Sequence, residues 1–581
     1  MKKARMILDR HKEMKTEKQP WLNLYQLLGE YIMTRKQHFT SNVNPGEMQN
    51  DKIFDDTAPN AVHLMAASLI GALWPNGPKT FQISMPFGLE REVGDTEECK
   101  QYYQFVTKRM AEFMDNPKAG LVTSLEEYML DQGAFGISGI GTFEQDDPEV
   151  PVIYKAVDAK NVTIDEGPNG FVDTVYIEKE FTLRQAVVEY GYDALSKARQ
   201  EAYEKGDFKC KVKVLHAIQP RIERDPFGFG NADMPYASIH IDVENEKILR
   251  ESGYTEMPVN VTRFWKAMGE KYGRSPGMNA LPSILEANAI REATILAVEK
   301  NLDPPLIVLD DGSLGGGTIN TSAGAINVFS VSGRLGSMGA KPVEPMLIVG
   351  ELQSSYARLT ELMEIIKNHF FQDRLMDLNN ETRMTLGEAN IRNNLRGQTL
   401  NTIYTRQITE LFVPMIERTF NILLRKGFLG VIKGSVEEMM LLDEGIIPIY
   451  IPDAIADRML KGQEVYKITF VSPAIRIMQT EELTGIQQTL QTAVEVAGVK
   501  PEILDNIDMD YIIKRVAELT GAPRETIVSA EVVQKFRKAR AEQQQAMMEA
   551  EAQRQGSETA RNMGQAVQHV SQAQGGQKGA A

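Results

Sequence analysis

The sequence is poor in cysteine, in catalytic motifs and in long apolar runs. Its 581 residues contain two cysteines, Cys99 and Cys210, which support neither a disulfide framework nor a cysteine-based zinc site. No GxxxxGK[ST] loop, HExxH helix, GxSxG turn or EF-hand loop occurs, so common nucleotide, protease, hydrolase and calcium sites have no support. We therefore predict that the protein is not an enzyme, and we predict no cofactor and no metal.

Membrane segments are also missing. No stretch reaches the roughly 18 apolar residues of a spanning helix. The first residues, MKKARMILDRHKEMK, have no apolar region typical of a secretory signal. With so few cysteines, the chain fits a reducing compartment, and we predict no membrane partner. One alternative is that residues 2–15, a basic amphipathic helix, bind a membrane surface.

The net charge of −15 and the pI near 5.2 argue against tight DNA binding by the surface as a whole. Sparse positive charge in an acidic surrounding would suit weak, sequence-independent contact with a phosphate backbone. Candidate residues for such contact are Lys300, Arg358, Lys367, Arg374 and Arg383. A separate basic cluster on the C-terminal helix contains Lys535, Arg537, Lys538 and Arg540.

Apolar periodicity predicts an α+β chain that is mainly helical. Before the β-rich part we expect helices at 2–15, from Pro20 through Ile32, and at 59–73, 90–115 and 122–132. Residues 133–265 read as strands and glycine turns, with one inserted helix at 183–205. A very long helix at 385–425 should bend at Gly397 and Pro414. Short strands and turns follow at 428–472, then helices from 479, a last helix at 534–555, and disorder over 556–581 unless a ring orders it.

Between the β-rich part and the very long helix, a helix at 278–301 leads into an insert rich in Gly, Ser and Pro, and a second helix returns at 347–371. This pattern predicts a helical hairpin with a tip. It is too long and too polar for an enzyme core, and it suits a part that projects and packs against copies of itself.

Few other residues suggest chemistry. His216 and His240 lie in adjacent predicted strands and could face each other, but two histidines without a third ligand give weak support for a metal site. Asp55 and Asp56 are best explained as capping the next helix. Asp310 and Asp311 are best explained as a turn.

Several segments together resemble the portal, or head-to-tail connector, proteins of short-tailed double-stranded DNA phages. The resemblance covers nearly the whole chain and is clearest from about Arg5 to Gly427. Its matching segments include Trp21 to Ile32, Asp55 to Pro75, Phe135 to Gly141, Arg263 to Pro276, Ala280-Leu281-Pro282, Asn301 to Pro305, and Met384 to Ala389.

The resemblance implies a ring of about twelve subunits around a DNA channel. The channel candidates are then Lys300, Arg358, Lys367, Arg374 and Arg383. It assigns residues 1–276 to the wing, with a β-rich subdomain at 133–265, and 277–301 and 347–371 to the two stem helices. It assigns 302–346 to the clip, 372–384 to the channel loop, 385–475 to the wing spine and return strands, 476–530 to the crown, and 531–581 to a C-terminal helix, or barrel, and a flexible tail. Candidate clip residues for docking partners are Asp310, Asp311, Leu314, Ile319, Phe329 and Arg334.

By the same resemblance, the ring would sit at one capsid vertex of the virion after assembly in the host cytoplasm. Double-stranded DNA would be packaged and ejected through it, and it would dock the packaging terminase and then the tail. Expected partners are other copies of the chain, DNA without sequence preference, terminase, tail adaptor, scaffolding protein and major capsid protein. The alternative is a non-portal structural or scaffold ring of the virion that binds only proteins.

Overall fold

The computed structural model of the chain describes residues 2–40, 52–75, 80–86, 88–89, 96–225, 228, 230–310, 319–330, 343–346, 352–372, 400–435, 438, 449–471, 473–497, 506–520, 528 and 530–575. Its α-helices are α1 (Lys2–Tyr31), α2 (Thr57–Leu73), α3 (Glu97–Met114), α4 (Leu121–Phe135), α5 (Leu183–Tyr190), α6 (Lys197–Glu204), α7 (Pro276–Leu302), α8 (Gln353–His369), α9 (Val413–Arg425), α10 (Asp453–Leu460), α11 (Pro473–Ala497), α12 (Met509–Thr520) and α13 (Ala530–Gly575). Its strands are β1 (Phe81–Ser84), β2 (Ile137–Glu144), β3 (Val152–Val157), β4 (Val162–Glu166), β5 (Val172–Thr182), β6 (Lys211–Pro220), β7 (Tyr236–Asp242), β8 (Lys247–Tyr254), β9 (Val259–Arg263), β10 (Leu306–Asp310), β11 (Ile326–Ser330), β12 (Val343–Pro345) and β13 (Lys467–Phe470).

The chain divides into two compact units. The larger unit contains Met1–Thr80, Arg109–Leu429 and Phe470–Glu481, and the smaller contains Phe81–Lys108, Gly430–Thr469 and Glu482–Ala581. The predicted class, α+β and mainly helical, is confirmed. None of the helices in the described ranges has both the length and the hydropathy needed to cross a bilayer.

The larger unit contains a five-stranded antiparallel sheet in the order β4-β5-β6-β7-β8. Side chains alternate between its two faces, as strand geometry requires. On β6, Val212 and Val214 pack with Leu183 and Ala186 of α5, whereas Leu215 and Ala217 join a cluster with α1. The α1 members of that cluster are Ala4, Ile7, Leu8 and Met14.

Helix α1 is one continuous helix, so the prediction of two helices separated before Pro20 is wrong. Pro20 removes one backbone donor, but contacts on the N-terminal side of the proline hold the helix in place. The buried ammonium of Lys18 donates to the carbonyl oxygens of Ala159, Lys160 and Val162 at 2.6, 2.8 and 2.5 Å. Because the apolar face of α1 lies on the sheet, it is not presented to a membrane.

Glycines close the junction between α4 and the three-stranded sheet β3-β2-β9. Gly136 ends α4 with a φ of 77°, and a Cβ there would lie 2.6 Å from the backbone carbon of Arg274. The predicted glycine turn is therefore present at Gly136. The other glycines of this stretch are not in turns, because Gly133 lies inside α4 and Gly139 and Gly141 lie inside β2.

Other segments also differ from prediction. The helix expected at 183–205 is two helices, because Gly191 adopts a φ of 85° and Ser196 caps a new start. Strand β8 and helix α10 were not predicted. Helix α13 continues to Gly575 rather than giving way to disorder after residue 555; Gln, Ala and Arg favour helix enough to outweigh Gly556 and Gly564. Gly397 and the predicted loop at 372–384 lie outside the described residues, apart from Gln372.

The smaller unit has a two-stranded sheet of β1 and β13 and a set of polar helices. Ile83 N donates to Thr107 Oγ1 at 3.0 Å, which joins β1 to α3. Arg515 of α12 forms two hydrogen bonds, of 2.7 and 2.9 Å, with Glu482 of α11. Buried apolar side chains of the unit include Phe81, Ile83, Val106, Ile451 and Ile455.

Candidate assembly and nucleic-acid surfaces

We call helices α7 and α8, with strands β10, β11 and β12 between them, the arm. It begins at a well-formed helix cap. Ser275 Oγ accepts from Met278 N at 2.9 Å and donates to Ala134 O at 2.7 Å, and Pro276 follows in the first turn. Proline at this position fits because its missing N–H would have no helical partner. The cap fixes α7 to the end of α4.

Buried Asn288 ties α7 to the segment before α2. Its Oδ1 accepts from the backbone N–H groups of Phe54 and Asp55 at 2.9 and 3.1 Å. Asp55 Oδ1 in turn accepts from Thr57 N at 3.0 Å, so the predicted capping role is confirmed for Asp55. Asp56 occupies the N-cap position, but its side chain makes no capping hydrogen bond. Sequence reasoning missed Asn288 because its partners are more than 200 positions away.

Arg358, a predicted channel cation, has its charge met within the arm. Its Nε and Nη2 donate to the two carboxylate oxygens of Glu286 on α7 at 2.9 and 3.1 Å, and Nη1 donates to Glu361 at 3.0 Å. Hydrogen bonds with Glu286 and then Glu361 raise the pKa of Arg358 above its usual value. These hydrogen bonds join α7 to α8 and leave the Arg358 guanidinium less available to bind a phosphate.

The other predicted channel residues are placed differently. Lys300 is half-buried and Lys367 exposed, each in the last turn of its helix, where a cation complements the helix dipole. Neither forms an ion pair with a described side chain. Arg374 and Arg383 lie outside the described residues. DNA contact by this set stays a prediction.

The distal part of the arm is a three-stranded sheet in the order β11-β10-β12, parallel between β10 and β11 and antiparallel between β10 and β12. Asp310 ends β10 and pairs in register with Ser330, so the predicted turn is wrong for this residue, and Phe329 pairs with Leu309. Ile319 is exposed. Asp311, Leu314 and Arg334, the remaining predicted docking residues, lie outside the described residues.

Large apolar side chains are exposed along the arm, and sequence reasoning singled out only Ile319 among them. The relative exposures range from 41% at Ile295 to 82% at Leu302. Among the described residues of the arm, the set is Ile295, Leu296, Leu302, Ile319, Ile326, Val343 and Tyr356. Many large apolar side chains left exposed to water in one substructure are typical of a surface that binds another protein.

A π-helical turn (Ile408–Phe412) lies directly before α9 and Pro414, where the sequence predicts a disturbed helix. Its Glu410 accepts from Arg263, with Nη2 to Oε1 at 3.1 Å and the backbone N to Oε2 at 3.2 Å. Arg263 is 1% exposed and also pairs with Glu166. Sequence reasoning missed this buried ion pair because 147 positions separate Arg263 and Glu410.

A cavity of about 380 Å³ opens beside this turn, within the larger unit. Glu256, Asn260, Glu410 and Glu417 are among its lining residues. Asn260 is 6% exposed and its buried Nδ2 has no hydrogen-bond partner among the described residues. The described lining residues include no recognisable pair of nucleophile and base, so they do not indicate a catalytic reaction.

His216 and His240 do face each other across β6 and β7. They are directly paired, and their rings stack with centroids 4.0 Å apart. His216 Nε2 lies 3.0 Å from Ser238 Oγ, and His240 Nδ1 lies 3.0 Å from the Tyr190 hydroxyl. Burial lowers the pKa of both, that of His240 to about 3. In the part of the chain that the structure describes, no group of three or more metal-ligand side chains occurs.

The predicted basic cluster lies in the first turns of α13. Lys535, Arg537, Lys538 and Arg540 are all exposed. Arg537 Nη2 donates to Asp510 Oδ1 on α12 at 2.7 Å. The other three form no ion pair with a described side chain, so most of the positive charge of the cluster is not neutralised by a described carboxylate.

Comparison with known proteins identifies one family. The family described as "Bacteriophage head to tail connecting protein" matches residues 4–436 and 439–528. The "Probable portal protein" of Bordetella phage BPP-1 is 26% identical over 567 residues, covering 96% of this chain and 95% of its own. The "Portal protein" of Salmonella phage epsilon15 is 27% identical over 547 residues, covering 93% of this chain and 91% of its own.

Among solved structures, a chain from the virion of a native gene transfer agent particle is 12% identical. The alignment covers 74% of this chain and 94% of the other, with a TM-score of 0.30. That score is too low to say that the two chains share a fold.

Proposed function

The chain belongs to the family of bacteriophage head to tail connecting proteins and serves as a phage portal, and from that premise we propose that its copies close into a ring around a channel for double-stranded DNA. The ring has about twelve subunits. It stands at one capsid vertex of the virion after assembly in the host cytoplasm. It admits DNA during packaging, docks the terminase and later the tail adaptor, and releases DNA at ejection.

The observation that carries this proposal is the exposed apolar set on the arm. Ile295, Leu296 and Leu302 are 41%, 50% and 82% exposed at the distal half of α7. A single subunit leaves them in water, whereas a neighbouring arm would cover them. Burial gives about 25 cal/mol for each Å² of apolar surface removed from water, so several such side chains per contact favour association.

The arm also offers polar groups suited to a contact that repeats around an axis. In a ring of identical chains, each subunit presents two different complementary surfaces. Glu286, Arg358 and Glu361 form a network at the surface, with Glu286 and Arg358 each 44% exposed. We assign α7 and α8 to the stem, residues 302–346 to the clip, the regions preceding and following the arm to the wing, and residues 476–581 to the crown and barrel.

Electron microscopy of the purified protein tests the proposal. We expect end views of rings with about twelve subunits and an opening of about 20 Å or more, which a DNA duplex requires. Ile295→Gln/Leu296→Gln should shift the protein toward single copies. Val188→Gln is the matched control, because Val188 is 83% exposed on α5, away from the arm sequence.

Two results would overturn the proposal. One is a protein that stays monomeric or dimeric at every concentration and salt. The other is a ring whose opening is too narrow for duplex DNA, which would favour a structural ring that binds only proteins.

A further inference from the structure

The start of α13 carries a concentration of charge unlike the rest of the chain. Residues 532–541 contain four cations and no acidic residue, within a protein of net charge −15. All four side chains are exposed, so none is engaged in a buried ion pair.

Only one of the four is committed to a described carboxylate. The Arg537–Asp510 hydrogen bond of 2.7 Å joins α13 to α12. Lys535, Lys538 and Arg540 form no ion pair with a described side chain. By contrast, Arg515 of α12 donates two hydrogen bonds to Glu482, and Arg358 of the arm donates three to carboxylate oxygens. Three cations per copy are therefore available to an external anion.

Helix geometry spreads these cations over two faces. Lys535 and Lys538 are three residues apart and lie on one face, and Arg537 and Arg540 are similarly related on another. A helix with cations on two faces is better suited to bind an extended polyanion lying across it than to bind a single small anion. Lysine and arginine at such positions bind phosphate without reading base sequence.

We propose that the first turns of α13 bind the phosphate backbone of double-stranded DNA through Lys535, Lys538 and Arg540. This inference rests on the proposed portal function, since a portal has duplex DNA as its cargo. It adds a contact site in the smaller unit, separate from the channel candidates on the arm. If copies form a ring, the site repeats once per subunit, and weak individual contacts act together.

The same helix supplies a matched control. Arg554 and Arg561 are also exposed on α13, but each follows a glutamate by three residues, Glu551 and Glu558. Lys535 and Lys538 also have a glutamate four residues away, Glu531 and Glu542, but they share their turns with Arg537 and Arg540. Arg554 and Arg561 have no second cation within three residues, so the local positive potential is lower there. Changing these two arginines removes the same net charge as changing Lys535 and Lys538.

The test measures binding of the full-length protein to a fluorescently labelled duplex of about 40 base pairs by anisotropy, at NaCl concentrations from about 50 to 200 mM. We expect Lys535→Gln/Lys538→Gln to reduce the salt slope by about 2 and weaken binding about tenfold or more at the lowest salt, because each phosphate contact contributes about 0.9 to that slope. Lys535→Arg/Lys538→Arg should bind like the wild type. Arg554→Gln/Arg561→Gln should change little.

Equal weakening by the two glutamine pairs would overturn the proposal, because net charge alone would then explain binding. Absence of salt-dependent binding by the wild type would also overturn it. Microscopy of the same samples separates the two ideas. Rings without DNA binding by α13 leave the portal proposal standing, and DNA binding by a protein that never forms rings leaves the α13 site standing.

Discussion

Helices α1 and α13 are both long and rich in charged residues, yet the chain uses them in opposite ways. Helix α1 has 30 residues, and ten of them are buried. Helix α13 has 46 residues, and none of its described side chains, from residue 532 to 567, is buried. A polar composition therefore does not say whether a helix is held by its own chain.

The difference lies in what each helix contacts. The apolar side of α1 lies on the five-stranded sheet, and its charged side reaches Glu178, Asp165 and backbone carbonyl groups. Helix α13 instead exposes Phe536, Met547, Met548, Met563 and Val567. Because most helical stability in proteins comes from packing, α1 should be stable in one copy, whereas α13 should gain stability from contacts between copies.

The largest expected effect comes from removing apolar contact on α1. Leu8 is 5% exposed and packs against the sheet, so Leu8→Ala should cost about 2–5 kcal/mol in free energy of unfolding. Met547→Ala on α13, where Met547 is 66% exposed, should change it by less than about 0.5 kcal/mol in dilute, unassembled protein. Urea unfolding measures both.

Two spectroscopic signals, tryptophan fluorescence and far-UV circular dichroism, distinguish the unfolding of the two units. Trp21, Trp74 and Trp265 are the three tryptophans, and all lie in the larger unit, so fluorescence follows that unit, while far-UV circular dichroism also includes α13. A cost for Leu8→Ala below about 1 kcal/mol would show that α1 does not depend on this burial. A similar cost for Met547→Ala in single copies would show that α13 is packed by its own chain.

A second comparison exchanges one lysine on each helix. Lys18→Met leaves the carbonyl oxygens of Ala159, Lys160 and Val162 without their donor, which should cost about 2–3 kcal/mol. Lys538→Met on α13 removes an exposed charge and should change stability by less than about 0.5 kcal/mol. Equal effects in fluorescence-monitored urea unfolding would mean that the Lys18 contacts contribute little.

The sequence predicts much of the helical framework because local features mark it. Ser275 and Pro276 start α7, and Asp303 followed by prolines ends it, so the bounds of this helix can be read from its cap and breakers. Alternation likewise predicts most strands between 137 and 263. These elements are defined by residues close together in the chain.

Features that depend on distant partners were missed or only partly seen. Pro20 predicts a break, but contacts from Lys18 and the sheet keep α1 continuous. No residue near Arg263 in the sequence indicates that its guanidinium would pair with Glu410, which lies in a π-helical turn. Apart from Ile319, the exposed apolar set of the arm was not inferred either, because exposure depends on the packing of the whole substructure.

The third prediction uses pH to examine the charged side of α1. Hydrogen bonds from His11 and Lys15 of α1, each 2.8 Å long, lower the pKa of Glu178 to about 2. The charged carboxylate therefore stabilises the fold above its ordinary pKa near 4.5, and this stabilisation is lost as pH falls toward 2. Because the side chain is 38% exposed, we expect less than about 1 kcal/mol.

Glu178→Gln should accordingly flatten the stability profile between these pH values, as measured by tryptophan fluorescence. Glu549→Gln, an exposed change on α13, is the control and should leave it unaltered. The lowered pKa values of His216 and His240 also reduce stability as pH falls from about 6.5, but they act equally in both variants. A Glu178→Gln profile identical to wild type would remove this contact from the account of α1.

The smallest effects should come from exposed ion pairs, which the two helices share. Arg10 of α1 lies 3.0 Å from Asp165, and Arg537 of α13 lies 2.7 Å from Asp510. Exposed pairs of this kind contribute little, because water and salt screen them. Arg10→Gln and Arg537→Gln should each move the thermal midpoint by less than about 2 °C, and about 0.5 M NaCl should reduce both shifts.

If Arg10→Gln alone gave a large, salt-sensitive shift, charge rather than apolar burial would hold α1 on the sheet. Two small shifts would instead place the contrast between the helices in their buried contacts, which α1 obtains from its own chain and α13 would obtain only from its neighbours.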